Sequence, residues 1–232
     1  MIALHHAPGS THSAAVRIAL AEKGLEYRER RLDLAAFEQH APAFLALNSH
    51  GMVPVLEDGG RRLSESFFIL LYLEETYPDP PLGGRDPRER YRVQKWGKYV
   101  ETHIAPQLAV ARWGALGGEV PERACAGFER LPAERRALWH RAGEGFGAER
   151  LAAASEALVV AGRRVAADLE QHEWLAADRF TLADIAVFPH LAQFDALGIA
   201  LPPPVARWLE RIAARGSVFP LAVMGPEAGR WG

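Results

Sequence analysis

The hydrophobic positions of residues 1–80 alternate between strand-like runs and helical spacing. The apolar run from Ile2 to His5 ends before Pro8 and Gly9, which predicts a buried strand. From Ser13 to Lys23 the apolar positions recur at three- and four-residue steps, and Gly24 is placed to end that helix in a left-handed conformation. The chain is therefore expected to begin with a strand followed by a helix.

The same part of the chain predicts further strands and helices. These are a charged strand from Tyr27 to Leu32, a helical segment from Ala35 to Leu47, strands from Val55 to Glu57 and from Arg62 to Ser64, and a helix from Glu65 to Tyr77. The order βαβ, helical segment, ββα is typical of a small mixed sheet with helices on both faces. We expect an α/β domain over residues 1–80.

A stretch from Pro78 to Pro87 interrupts this pattern, because its four prolines and two glycines suit neither helix nor strand. We place a linker at residues 81–87 and a second, all-α domain at residues 88–232. Within it, Thr181 and Asp184 have the spacing of a capping box with a structural role. The predicted helices run from Arg88 to Trp113, Pro132 to Gly145, Glu149 to Glu173, Thr181 to Leu197 and Pro203 to Arg215.

Composition narrows the function classes. The 232 residues carry a net charge of -2 with no long basic run, so we do not expect a nucleic-acid partner. No apolar stretch approaches the roughly 18 residues of a membrane-spanning helix, and the single cysteine, Cys125, favours a reducing, cytoplasmic location. The nine histidines lack metal-binding spacing, so we expect no metal.

A loop and a helix start together predict a site for an extended, peptide-like ligand. Val53 and Pro54 stand between a glycine-containing turn and a short strand, where a cis peptide bond would turn the backbone of Val53 outward. Glu65 and Ser66 open the next helix, where free N–H groups, a hydroxyl and the positive end of the dipole suit a carboxylate.

Three hydroxyl residues, Ser10, Thr11 and Ser13, stand where the first strand gives way to the first helix. They could simply cap that helix. If the loop at Val53 holds a cysteine-containing peptide, however, the sulfur of that peptide would fall near this turn. Hydrogen bonds and the helix dipole would then lower the pKa of the thiol from about 8.5 and populate the thiolate nucleophile.

These motifs resemble those of the cytosolic glutathione S-transferases, and the similarity extends over essentially the whole chain. The segment from Ser10 to Leu20 resembles the serine-type signature of the zeta, phi and theta classes, and Asn48 to Leu56 matches Asn-Pro-x-Gly-x-Val-Pro-x-Leu with Ser49 replacing the first proline. Glu65 and Ser66 match the Glu-Ser pair of the family. The resemblance implies a thioredoxin-like N-terminal domain and an all-helical C-terminal domain.

The resemblance also implies glutathione as co-substrate and a set of site residues. Ser10 takes the position of the catalytic hydroxyl in one register and Ser13 in another, with Thr11 as a close substitute. Met52 stands where many relatives carry Lys, Arg or Gln, so that Gln39 or His40 would have to supply the side-chain contact. The implied glutathione-binding residues are His12, Gln39, His40, Met52, Val53, Pro54, Glu65 and Ser66.

One face of the predicted helix from Arg88 to Trp113 carries a stripe at three- and four-residue steps, formed by Trp96, Tyr99, His103, Gln107 and Val110, with Trp113 one turn further on. Such stripes usually belong to the core, but they can also line a groove. We take Trp96, Tyr99, His103 and Trp113 as candidate substrate-binding residues and expect Pro106 to kink the helix.

The segments from Phe37 to His40 and from Leu131 to Phe146 resemble bacterial transferases that include the glutathione-dependent β-etherases. The expected function is activation of the glutathione thiolate for attack on a small hydrophobic or aromatic electrophile, with β-aryl ether cleavage as one form. Two alternatives stay open: a glutathione-dependent cis-trans isomerase and a non-catalytic scaffold. The resemblance also implies a homodimer.

Overall fold

The computed structural model describes residues 1–115, 131, 133, 136–137 and 145–218. The tail from Phe219 to Trp231 and most of the predicted helix from Pro132 to Gly145 lie outside these residues. So does most of the segment from Leu131 to Phe146 on which the resemblance to the β-etherases partly rests.

A four-stranded mixed sheet with the order β2-β1-β3-β4 forms the N-terminal part. Strand β1 (Ile2–His6) pairs parallel with β2 (Tyr27–Arg31) and antiparallel with β3 (Val55–Asp58), which pairs antiparallel with β4 (Arg61–Leu63). The predicted mixed sheet is confirmed.

Helices cover both faces of this sheet. Successive residues of a strand point to opposite sides, so neighbouring apolar residues of one strand pack against different helices. Helices α1 (Thr11–Glu22) and α3 (Ser66–Thr76) contribute to the main core, which contains Leu4 and Leu56. Val55 belongs to a second apolar cluster with Phe44 of the short helix α2 (Pro42–Leu45). After α1, Gly24 has φ +63° as predicted.

The predicted helical segment from Ala35 to Leu47 consists of two short helical pieces. A single turn of 3-10 helix, Glu38–His40, precedes α2, and Ala41 between them has φ -64° and ψ 143°. Pro42 explains the break, because the proline ring disfavours helical geometry in the residue before it.

Among the described residues of the C-terminal part, every regular element is a helix. Helix α4 (Pro87–Tyr99) continues through a π-helical turn (Val100–Ile104) into α5 (Ala105–Ala115). Then come α6 (Ala148–Leu169), α7 (Leu182–Leu191), a 3-10 turn (Asp195–Leu197) and α8 (Pro203–Ala213). None of the described helices is long and apolar enough to cross a membrane.

Two of these helices depart from regular or predicted geometry. The π-helical turn ends at Ile104, two residues before Pro106, whose ring would clash with the preceding turn of a regular α-helix. The capping box of Thr181 and Asp184 at the start of α7 is confirmed, whereas the prediction that this helix reaches Leu197 was wrong. Helix α7 ends at Leu191, and the 3-10 turn after it closes at Gly198 with φ +69°.

An ion pair joins α1 to the segment that follows α8. Arg215 donates to both carboxylate oxygens of Glu22, at 2.7 and 2.8 Å, and the hydroxyl of Ser217 donates to the same carboxylate. Burial opposes ionisation of Glu22, but these hydrogen bonds outweigh it and lower the pKa of the carboxyl group. A lowered pKa means that the pair stabilises the fold above the unfolded-state pKa and loses this effect as the pH falls through the folded-state value.

We therefore expect Glu22→Gln to lower the free energy of unfolding by about 1 kcal/mol at pH 7, and the difference from the unmodified protein to vanish in strong acid. Urea unfolding at a series of pH values measures this. Glu173→Gln is the matched control, because its pairing with Arg211 at 3.6 Å is far more exposed. An equal loss of stability at pH 3 and pH 7 would contradict this account.

Candidate active site

The three hydroxyl residues are all buried at the start of α1. Ser10 is the N-cap, and its Oγ accepts a hydrogen bond from the backbone N of Ser13 at 3.2 Å. The Oγ of Ser13 in turn accepts from the backbone N of Ala7 at 3.5 Å. Because both oxygens act as acceptors here, both hydroxyl protons are left to donate elsewhere, at the positive end of the α1 dipole.

The loop before β3 adopts the predicted cis peptide bond between Val53 and Pro54. Asn48 holds this loop together: its Nδ2 donates to the carbonyl of Met52 at 2.9 Å, and its Oδ1 accepts from the backbone N of His50 at 3.1 Å. The sequence identified Asn48 as part of a motif but not this role. The loop thus presents Val53 from a fixed position.

Gln39 and His40 lie against the same loop. Gly51 has φ +61°, and a Cβ there would stand 2.6 Å from the Nδ1 of His40, so only glycine fits. The Oε1 of Gln39 is buried and has no hydrogen-bond partner among the described residues. Met52 is 57% exposed and points away from the core. A buried acceptor without a donor beside the Val53 loop is suited to a ligand amide.

Glu65 and Ser66 open α3 in an unusual conformation. Glu65 is the N-cap residue, with φ +66° and ψ 104°, a region that a residue with a side chain rarely adopts. Strain of this kind persists where the surrounding structure enforces it, often at a binding site. Ser66 is the first helical residue, so its hydroxyl and the free N–H groups of the first turn share the positive end of the helix.

A narrow cavity lies between the N-terminal and C-terminal helices. Its described lining comes from α1 (His12, Ala15), α3 (Ser66, Phe67, Leu70), the α4 and π-helical segment (Gly97, Val100, Glu101) and α7 (Ala186, His190). The rings of His12 and His190 meet edge to face, with centroids 4.9 Å apart. Burial, assisted by the charge of Arg112, lowers the pKa of His12 to about 4, so this histidine is neutral at pH 7.

Glu101 is a cavity residue that the sequence did not single out. Burial raises the pKa of its carboxyl group, Lys98 opposes that rise, and the nearby charge of Glu65 adds to it. Glu101 therefore lies close enough to Glu65 for the two carboxyl charges to repel each other. Such a pair is suited to a ligand ammonium group.

The predicted substrate wall is not found at this cavity. Trp96 is buried, its Nε1 donates to the carbonyl of Leu175 at 3.2 Å, and its edge lines a separate surface groove with Tyr91 and Lys95. Tyr99 stacks on His103 with centroids 4.6 Å apart, and His103 is exposed. None of Trp96, Tyr99, His103 and Trp113 is among the described lining residues.

The physical reason is the register of the helix. The residues that reach the cavity are not members of the stripe: Gly97 and Val100 directly follow Trp96 and Tyr99, and Glu101 lies midway between Tyr99 and His103. The π-helical turn from Val100 to Ile104 takes an extra residue, so His103 and the residues after it depart from the regular α-helical spacing of the stripe.

Comparison with known proteins gives family matches in both halves of the chain. The protein-family model described as "Glutathione S-transferase, N-terminal domain" matches residues 4–81. The family model described as "Glutathione S-transferase, C-terminal domain" matches residues 136–216. Maleylacetoacetate isomerase of Pseudomonas aeruginosa is 34% identical over 220 residues, which cover 90% of this chain and 90% of that protein.

Two further relatives differ in what their names describe. Protein LigF of Sphingobium sp. strain SYK-6 is 29% identical over 217 residues, which cover 86% of this chain and 84% of that protein. The crystal structure of this β-etherase superposes with a TM-score of 0.84 at 26% identity, covering 97% of this chain and 99% of that one. FtsZ-localized protein A of Caulobacter vibrioides is 31% identical over 205 residues, with coverage of 84% and 78%.

These matches agree with the mixed sheet, the helical C-terminal part and the hydroxyl residues at the start of α1. This chain belongs to the glutathione S-transferase family.

Proposed function

We propose that the cavity and the Val53 loop together bind glutathione. Glu65 and Glu101 would receive the ammonium group of the γ-glutamyl end, and Ser66 with the α3 N-terminus its carboxylate. The backbone of Val53, set by the bond to Pro54, would pair with the peptide. The glycyl end of glutathione would lie beside Gln39, His40 and the exposed Met52. The buried Oε1 of Gln39 supports this placement.

The sulfur would then lie at the start of α1, and we assign its activation to Ser10. The observation that carries this assignment is that Ser10 Oγ accepts from the backbone N of Ser13, which orients its own proton away from the helix. Ser13 is fully buried and turned towards Ala7, and Thr11 is the first helical residue beside them. A donated hydrogen bond and the helix dipole lower the pKa of a thiol and so populate the thiolate.

The reaction we propose is displacement on an aromatic electrophile, with β-aryl ether cleavage as its main form. The thiolate sulfur attacks the carbon next to a ketone, a C–S bond forms, the C–O bond breaks, and the aryloxide leaves and takes up a proton from water. The likeness to the β-etherase LigF over nearly the full length of both chains supports this reaction.

A second candidate reaction is glutathione-dependent cis-trans isomerisation, because the isomerase from Pseudomonas aeruginosa is 34% identical over 220 residues. One assay separates the two: the purified protein is incubated with glutathione and either an aryl ether ketone or a cis-diacid. Displacement consumes one glutathione for each phenol released, whereas isomerisation returns glutathione unchanged. Turnover of neither substrate, with glutathione bound, would favour a scaffold role, which the likeness to FtsZ-localized protein A supports.

We also propose that the chain forms a homodimer in the cytoplasm. Its single cysteine is consistent with a reducing compartment. Two large apolar side chains, Met52 and Phe68, are 57% and 60% exposed, and a partner subunit would cover them. Sedimentation at micromolar concentration is expected to give twice the mass of 25.5 kDa, and Phe68→Glu to weaken the association. A monomer under those conditions would contradict the dimer.

A further inference from the structure

A surface groove lies between the first turns of α4 and the end of α6, outside the cavity that we assign to glutathione. Its volume is about 520 Å³. That is within the range of roughly 300 to 1,000 Å³ found for pockets that bind small ligands. The groove shares no described lining residue with the cavity at His12 and Glu101. The proposed transferase reaction makes no use of it.

The wall that α4 contributes to this groove is positively charged. Arg88, Arg92 and Lys95 line it at steps of four and three residues, so they share one face of the helix over roughly 10 Å of its length. The positive end of the α4 dipole, at Pro87, adds to this charge. This wall is suited to an anion whose charges are spread over a similar length.

These three cations have no protein anion bound to them. In the described part of the chain, none of their side chains forms a hydrogen bond or an ion pair. The charge of Arg88 acts on Asp86, but the Oδ1 of Asp86 caps α4 by accepting from the backbone N–H groups of Arg88 and Glu89. The cationic face is therefore available to a ligand.

The opposite wall of the groove has the reverse polarity. It is formed by Asp168, Gln171 and His172, at the C-terminus of α6 and in the turn that follows. The negative end of the helix dipole lies there, beside the carboxylate of Asp168. A carboxylate and a carboxamide oxygen accept hydrogen bonds, so this wall is suited to the N–H donors of a ligand.

Between the two walls the groove is apolar and aromatic. Its floor includes Trp96 and Leu175, which are both 2% exposed. Tyr91 is 67% exposed, and its ring makes no contact with another ring among the described residues. A planar, aromatic ligand can stack on such a free face.

A purine nucleoside triphosphate combines the three features that the groove requires. Its triphosphate carries several negative charges in a row, its base is a planar ring, and the edge of the base presents N–H donors. An aromatic acid with a single carboxylate matches less well, because it would leave two of the three cations without a partner.

We propose that this groove binds a purine nucleoside triphosphate. The triphosphate contacts Arg88, Arg92 and Lys95, and the base stacks on Tyr91 with its N–H groups directed at Asp168. This is a second binding site, and it does not depend on the function proposed for the glutathione cavity.

Calorimetric titration of the full chain tests the proposal, in magnesium-free buffer at about 0.1 M ionic strength. The probes are GTP, ATP, inorganic tripolyphosphate and 2-naphthoate. We expect a purine nucleotide to bind with a submillimolar Kd, about 5-fold or more tighter than tripolyphosphate because its base stacks on the protein. Arg92→Gln and Lys95→Gln should each weaken nucleotide binding by about 10-fold. Tyr91→Ala should weaken nucleotide binding but leave tripolyphosphate binding unchanged.

The matched control is Arg90→Gln, which removes the same charge from α4 at a position that does not line the groove. It should retain the full nucleotide affinity, and saturating glutathione should not change that affinity. Three results would overturn the proposal: no nucleotide binding at about 1 mM, an affinity equal to that of tripolyphosphate, or an equal loss in Arg90→Gln and Arg92→Gln. Tighter binding of 2-naphthoate would replace the nucleotide by an aromatic acid, and competition by glutathione would place the nucleotide in the other cavity. Either result contradicts the proposal. Glutathione binding is measured separately, so a negative result here leaves the proposed function standing.

Discussion

Replacing Ser10 by alanine is expected to lower kcat by about 100-fold or more, with glutathione affinity changed by less than about threefold. The hydroxyl would donate to the sulfur, so its loss lets the pKa of the bound thiol rise towards its free value of about 8.5 and depletes the thiolate at pH 7. Most of the contacts proposed for glutathione are made elsewhere, at Val53, Glu65 and Ser66. Steady-state kinetics together with the ultraviolet absorbance of the thiolate as a function of pH measure both effects.

Ser10 also caps α1, so the catalytic loss must be separated from a loss of stability. Alanine at an N-cap costs about 1 kcal/mol, whereas glycine costs only a few tenths. Ser10→Gly should therefore be as inactive as Ser10→Ala yet nearly as stable as the unmodified protein. Ser155→Ala, at an exposed position on α6, is the control for a serine removed elsewhere. Unchanged turnover after each of Ser10, Thr11 and Ser13 is replaced by alanine would remove this mechanism.

Replacing Asp184 by alanine is expected to lower the free energy of unfolding by about 3 to 5 kcal/mol. Its carboxylate is fully buried and accepts hydrogen bonds from the backbone N of Leu175 at 3.1 Å, from the N and Oγ1 of Thr181 at 2.9 and 3.0 Å, and from the Nε1 of Trp208 at 3.0 Å. Alanine would leave these donors buried without an acceptor. Urea unfolding followed by circular dichroism measures the loss.

Trp208→Phe is the matched comparison, because it removes only the donor at one of these contacts and keeps an aromatic ring in the core. It should cost much less than Asp184→Ala, since the remaining donors stay satisfied. If Asp184→Ala unfolds within about 1 kcal/mol of the unmodified protein, Asp184 does not organise this region as described.

Features governed by neighbours in the sequence could be predicted, and features governed by packing between helices could not. The capping box of Thr181, the cis bond at Pro54 and the left-handed Gly24 follow from local chemistry, and the structure contains all three. The order of strands and helices likewise identified the mixed sheet. The positive φ of Glu65 escaped prediction, because no rule of composition places a non-glycine residue there.

The lining of the cavity could not be predicted from local rules. The aromatic stripe of Trp96, Tyr99 and His103 is real, but hydrophobic spacing does not say which neighbouring helix a face will meet. The π-helical turn before Pro106 adds a change of register that only the folded chain reveals. His12 and His190 are far apart in sequence and carry no motif, so the contact between their rings depends entirely on the packing of α1 against α7.

The most direct test of the central claim is calorimetric titration of the purified protein with glutathione. We expect saturable binding with a Kd between roughly micromolar and millimolar, retained in Ser10→Ala and weakened in Ser66→Ala. This pattern would place the peptide at α3 and the loop, with Ser10 reserved for the sulfur. An absence of binding at millimolar glutathione would contradict the account, because every catalytic step proposed here begins with that complex.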